Sequence, residues 1–276
     1  MTAPLRVLAF GAHPDDCDSK AGGVAALYAA AGHQVRFVSV TNGDAGHQEM
    51  HGAGLAWRRR AEAEAAARVI GIEYVLLDNH DGELVPSLEN RRQVIRAIRE
   101  FAPDLIMTPR PYDYHPDHRY TSQLVQDAAY CVTVPGSVGL TAHLERNPVI
   151  VYVSDHFQKP CPFAPDVVVD IGSVVERKLD MLHEHRSQMY EWLPYNRGIL
   201  EQVPAGDVER RAWLGQDRLP HYELSDENWR ARLVELIGPD RAAEVRYAEA
   251  FEACEYGAPL TAEAIRRLFP FLGGPE

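Results

Sequence analysis

Along the first two thirds of the chain, short apolar runs alternate with longer stretches of helical period. Residues 5–10, Leu-Arg-Val-Leu-Ala-Phe, form one such run, ended by Gly11 and Pro14, and read as a buried strand. Residues 21–31 are small and apolar, suited to a helix packed closely on a sheet, with Gly32 placed to close it. Further strands are expected at 35–40, 74–77, 105–108, 149–153 and 167–171. Helices are expected at 57–70, stopped by Gly71, at 89–101, where Pro103 bars continuation, at 117–131 and at 174–190. This alternation implies an α/β fold: a three-layer, Rossmann-like, mostly parallel sheet with helices on both faces.

The pattern changes near residue 191. Trp192, Trp213 and Trp229 and several prolines follow, with helical stretches at 227–237 and 241–254. The expected division is an α/β domain over residues 1–190 and a helical extension over 191–276 packed on it. No Gly/Ser linker marks the boundary.

Composition narrows the class. The 276 residues are 46% hydrophobic and 25% charged, an ordinary globular mix, and a core of that size needs no disulfides. Cys17, Cys131, Cys161 and Cys254 form no CxxC pair, which argues against a thiolate zinc knuckle and fits a reducing, cytoplasmic setting. No basic segment with an apolar run precedes the first strand, so no secretory signal is expected, and no membrane-spanning run occurs. A net charge of −12 repels nucleic acid and anionic lipid.

Two motifs carry chemistry. Ala12-His13-Pro14-Asp15-Asp16 directly follows the first strand, and His115-Pro116-Asp117-His118 follows the fourth. His and Asp are the usual nitrogen and oxygen ligands of zinc, and proline stiffens both turns. One such motif is weak evidence, because His and Asp also serve turns. Two gain force from topology: with strand order 3-2-1-4-5, strands one and four are neighbours where the order reverses, and ligands bind there. A nucleotide-binding reading needs a glycine-rich phosphate loop after strand one, where this chain places two carboxylates.

On these residues the chain resembles the LmbE-like, or PIG-L, de-N-acetylases. Thr41-Asn42-Gly43-Asp44, Arg59 with Glu62 before Ala66-Ala67 and Gly71, and Lys178 followed by His185, Ser187 and Gln188 support the resemblance, which spans about residues 5–190. It implies that His13, Asp16 and His118 bind Zn2+ or another divalent transition ion. Asp15 would be the general base and His115 the acid or oxyanion stabiliser. The implied reaction is deacetylation of an N-acetylated amino sugar or sugar conjugate. An amidase for another acyl group or a thiol-conjugate amide is the alternative, and a non-catalytic sugar-binding protein of the same fold a further one. Relatives are often trimers or hexamers, which implies a homo-oligomer. Three ligands leave a position open, as in catalytic zinc sites.

Other residues have two readings. Asp117 either orients a histidine or caps the following helix. Arg59 and Asp81 either bind substrate or serve, respectively, a solvated helix face and an Asp-Gly turn. Asp44, His47 and His51 are read as rim residues rather than ligands. His185, Ser187 and Gln188 form either a buried cluster that fixes a loop or a catalytic part. Cys17 reads as a small buried filler. Some relatives carry tyrosine two residues before the second motif's first histidine, where this chain has Asp113.

Overall fold

The computed structural model describes residues 3–273. Seven strands form one sheet: β1 Arg6–Gly11, β2 Gln34–Thr41, β3 Glu73–Asn79, β4 Leu105–Thr108, β5 Val149–Val153, β6 Val167–Asp170 and β7 Ala248–Ala253. Their order is β3-β2-β1-β4-β5-β7-β6. The first five are mutually parallel, and β7 runs antiparallel to both β5 and β6. The expected order 3-2-1-4-5 is therefore present, with the reversal between β1 and β4.

The buried runs are continuous because the sheet is covered on both sides. In β1, Val7 and Ala9 join the core on one face and Leu8 and Phe10 the core on the other. The first face is packed by α1 Asp16–Ala30, α2 Gly52–Ile70 and, further along the chain, α5 Val175–Glu184. The second carries α3 Leu88–Phe101 and α4 Pro116–Cys131. The small residues of α1 permit close approach: a Cβ on Gly23 would lie 2.7 Å from Ile171 Cγ2.

Later helices are α6 Leu193–Asn196, α7 Asp207–Arg218, α8 Glu227–Ile237, α9 Pro239–Glu244 and α10 Ala262–Leu268. No described helix is long and apolar enough to cross a membrane.

Two expected helices end early. The helix read over 241–254 stops at Glu244, and residues 248–253 form β7 inside the sheet. The region after 190 is thus not purely helical. Ala-Glu-Ala-Phe-Glu-Ala favours a helix by propensity, yet Ala248 and Ala250 face one core while Phe251 faces another, a period of two. Glu249 accepts the backbone N–H groups of Gly23 and Val24, both at 2.8 Å. It also pairs with Lys178 Nζ at 2.5 Å, and that ammonium donates to Ser19 O at 2.7 Å. This wholly buried pair reaches into the backbone of α1 and ties it to β7 and α5.

The helix read over 174–190 stops at Glu184. His185 and Ser187 turn inward, His185 Nε2 lying 3.1 Å from Asp18 Oδ2 and Ser187 Oγ 2.5 Å from Glu62 Oε2. The chain then makes one wide turn over Gln188–Trp192 before α6. The cluster-that-fixes-a-loop reading of His185, Ser187 and Gln188 is what these contacts describe.

Candidate metal centre

The first motif occupies the turn from β1 into α1. Asp16 opens α1, and its Oδ2 accepts the N–H groups of Ala12 and His13, both at 2.8 Å. The second motif begins α4. His115, not Asp117, is the cap: its Nδ1 accepts the Asp117 N–H at 3.2 Å, with Pro116 at the first helical position. β1 and β4 are adjacent, so both turns open at the same carboxyl edge.

Three atoms meet there. His13 Nδ1, His118 Nε2 and Asp16 Oδ2 form a triangle with sides of 3.3, 3.5 and 3.5 Å. Tetrahedral donors at the usual zinc distances lie roughly 3.3–3.4 Å apart, so the spacing and the two-nitrogen, one-oxygen set both fit such an ion. The outward nitrogen of each histidine lies against carboxylate. His13 Nε2 is 3.1 Å from Asp81 Oδ1 and 3.3 Å from Asp117 Oδ2, and His118 Nδ1 is 3.1 Å from Asp113 Oδ2. Such partners fix the tautomer that leaves the inward nitrogen free to coordinate. Two other sets, His13–His115–His118 and His13–Asp81–His115–Asp117, are also compact enough to hold an ion, to which His115 would offer Nε2 because its Nδ1 caps α4.

The electrostatics ask for a cation. Burial alone would lower the pKa of His13, yet Asp117, Asp16 and Asp81 hold it well above its usual value. His118 is likewise raised, Asp16 and Asp113 overcoming burial. Burial would raise Asp16, but the charges of His118 and His13 and the His13 bonds hold it far below the carboxylate range. Asp81 is held at about 2: burial opposes the shift, and His13 and Arg59 drive it. The carboxylates around His13 and His118 favour positive charge at the centre of the cluster. His115 is the exception, lowered by burial and by the His13 and His118 charges. It rests neutral near pH 7, and because Nδ1 accepts the Asp117 N–H, the proton sits on Nε2.

Asp15 lines a cavity of about 380 Å³ beside this cluster. Its Oδ1 receives Arg59 Nη2 at 2.7 Å. Arg59 is 2% exposed and also lies 3.5 Å from Asp81 Oδ2. Gly43 takes a positive φ, and a Cβ there would strike the Arg59 guanidinium at 2.7 Å. Arg59 and Asp81, read as substrate contacts or as helix-face and turn residues, do line the cavity, but both terminal nitrogens of Arg59 and both carboxylate oxygens of Asp81 lie against protein partners. Asp117 is fully buried, against His13 and the Gly82 N–H. Asp44 holds His80 and the Asp81 N–H, and His47 holds Glu191, while His51 is exposed at the start of α2. Cys17 is buried with its thiol 3.5 Å from Ala9 O.

Asp113 escaped the sequence reading as a site residue. The signal was present: an Asp two residues before His115, whose Oδ1 accepts the His115 N–H at 2.8 Å. Asp113→Ala is expected to weaken metal binding about 10–100-fold. Competition with a chromophoric chelator measures it, and unchanged affinity would remove Asp113 from the site.

The PIG-L family model, GlcNAc-PI de-N-acetylase, matches residues 8–129, from β1 through most of α4. Diacetylchitobiose deacetylase of Thermococcus kodakarensis is 31% identical over 209 residues, covering 70% of this chain and 76% of that protein. This chain belongs to the PIG-L family. The PIG-L match takes in both His/Asp motifs, Asp15, Arg59, Asp81 and Asp113. The 4-oxalmesaconate hydratase of Pseudomonas putida is 26% identical over 213 residues, 73% of this chain and 81% of that one. Among solved structures, N,N'-diacetylchitobiose deacetylase from Pyrococcus horikoshii aligns with a TM-score of 0.66 at 25% identity, covering 94% of this PIG-L chain and 88% of the other.

Proposed function

We propose that this protein is a zinc-dependent hydrolase that removes the acetyl group from an N-acetylated amino sugar or sugar conjugate. The observation that carries the reading is the His13–His118–Asp16 donor triangle, its outward nitrogens on carboxylates, beside the Asp15 carboxylate held through one oxygen by Arg59. A bound zinc ion would supply Lewis acidity, lowering the pKa of water to about 7 and polarising the amide carbonyl. Asp15 takes the proton from the attacking water and passes it to the amine nitrogen as the C–N bond breaks. Arg59 holds one of its oxygens, leaving the other for that transfer. His115, locked by its cap as the Nε2–H tautomer, donates to the oxygen on which negative charge develops. Asp117, Asp81 and Asp113 orient the histidines and touch no reacting atom.

The hydratase relative raises a second reading, addition of water to an unsaturated carboxylate. The cavity disfavours it. Arg59 is the one arginine or lysine among the described residues lining it, and its terminal nitrogens lie against Asp15 and Asp81. Beside the His/Asp cluster, a substrate rich in carboxylates would meet no free arginine or lysine there.

Acetate release from a panel of N-acetylated amino sugars and their glycosides tests the reading. Zinc-loaded protein is expected to release acetate, and a chelator to abolish release. Failure on every member, with zinc bound and other N-acyl amides cleaved, would move the assignment to an amidase of a different acyl group. Failure on all amides would overturn it.

A further inference from the structure

The region after residue 190 supplies a wall of the cavity. Trp192 and Asn196 line it together with Tyr114 from the second motif's loop. Trp192 belongs to none of the buried hydrophobic clusters, whereas Trp213 and Trp229 each pack against one. Its aromatic neighbour is the exposed Tyr195, with ring centroids 6.0 Å apart and planes inclined by 25°. A half-buried indole that packs no core is placed for something else.

Its position is built with care. The wide turn over Gln188–Trp192 is of a kind found often at functional sites. Glu191, next to Trp192, is gripped by both terminal nitrogens of Arg58, at 2.8 and 2.5 Å, and by His47 Nε2 at 2.8 Å. Gln188 Nε2 donates to Gly46 O at 3.0 Å. The turn is thus bolted to the loop after β2. At Gly46 the bare backbone lets the wall meet the centre. A Cβ there would lie 3.3 Å from Asp81 Oδ2, 3.5 Å from Arg59 Nη1 and 3.7 Å from Trp192 Nε1.

We infer that Trp192 is the platform on which the substrate's pyranose ring stacks, setting the ring so that its N-acyl arm enters the His/Asp cluster. The inference rests on the reading of the site as an N-acyl sugar hydrolase and names the residue that recognises the sugar. A pyranose presents a face of C–H groups that matches an aromatic surface, while its rim hydroxyls need polar partners. The exposed Asn196 borders the same cavity and supplies such a group. At about 380 Å³ the space lies near the lower end for small-molecule sites, room for one sugar ring with its acyl group. Any aglycone or second sugar extends past the exposed Tyr114. Trp192 is a specificity residue and takes no part in proton transfer.

The test compares Trp192→Ala and Trp192→Phe with the wild type, all zinc-loaded, on methyl N-acetyl-β-glucosaminide and on ring-free N-acetylethanolamine. For the glycoside, Trp192→Ala is expected to raise KM about tenfold with kcat nearly unchanged, and Trp192→Phe to stay near wild type. KM for the ring-free amide should not move. Equal KM values for the glycoside in wild type and Trp192→Ala would overturn the inference, as would equal losses on both substrates. Saturation-transfer NMR with the glycoside gives a readout independent of turnover. Transfer to the ring C–H protons is expected in the wild type and should fall in Trp192→Ala. If the wild type binds with that signature but hydrolyses nothing, the proposed reaction fails and the platform stands. If no transfer reaches the ring, the platform fails whatever the turnover.

Discussion

Asp15→Asn is expected to lower turnover of an N-acetylated substrate by about 10²–10⁴-fold while leaving metal content and KM nearly unchanged. The amide is close in shape to the carboxylate. Its oxygen can still accept the Arg59 Nη2 hydrogen bond that measures 2.7 Å in the wild type, so the turn into α1 keeps its anchor. Arg59 loses one counter-charge but retains Asp81 at 3.5 Å, and its burial is not left uncompensated. What disappears is the capacity to take a proton. The expected signature is therefore a fall in kcat with equal bound zinc by elemental analysis and an unchanged melting temperature. Activity equal to wild type would exclude Asp15 as the base. A fall accompanied by loss of metal would instead make it a ligand or a support for one.

The two His/Asp motifs were legible because each forms a local turn whose residues also serve the backbone. Asp16 accepts two N–H groups of its own turn, and His115 caps α4. Residue type, proline and position after a strand all sit within five consecutive residues. Their convergence followed from strand order, itself implied by strand–helix alternation. The partners of these residues were not legible in the same way. Asp81 was open between a substrate contact and an Asp-Gly turn, yet its partner His13 is 68 positions earlier in the chain and meets it only once β1, β2 and β3 are side by side. Arg59 meets Asp15 across a separation of 44 residues. No periodicity within either segment encodes such pairings.

The later part of the chain was misread for a different reason. Residues 248–253 are rich in helix formers, and their letters carry no apolar–polar alternation; the period of two appears only in the packing. The strand is fixed by what flanks it: β5 and β6 offer edges on either side, and Lys178 and the α1 backbone wait for Glu249. Trp192 was counted as part of a packed extension because an isolated tryptophan carries no sign of which surface it meets. The helix ends before His185, whose ring is buried against Asp18, and the wide turn that follows places Trp192 on the cavity wall.

Zinc is expected to stabilise the protein more at about pH 8 than at about pH 6, and the sign follows from the histidines. In the metal-free fold, His13 and His118 have raised pKa values, burial being overcome for His13 by Asp117, Asp16 and Asp81 and for His118 by Asp16 and Asp113. A group raised by folding contributes stability that is fully present below its unfolded pKa of about 6.5 and lost as pH rises through the folded value. The metal-free protein therefore weakens over that range as the cluster of carboxylates loses its protons' charge. Coordination needs those same nitrogens unprotonated, so binding releases protons and tightens with pH, by about tenfold per unit for each proton released. Asp16 offers no competing proton, since its pKa lies far below the carboxylate range under the influence of His118 and His13 against the opposing effect of burial. The two trends add: the rise in melting temperature at saturating zinc should grow from pH 6 to pH 8. His118→Ala should abolish most of it and flatten its pH dependence. A zinc effect independent of pH, or one that survives in His118→Ala, would place the ion elsewhere than on the triangle of His13, Asp16 and His118.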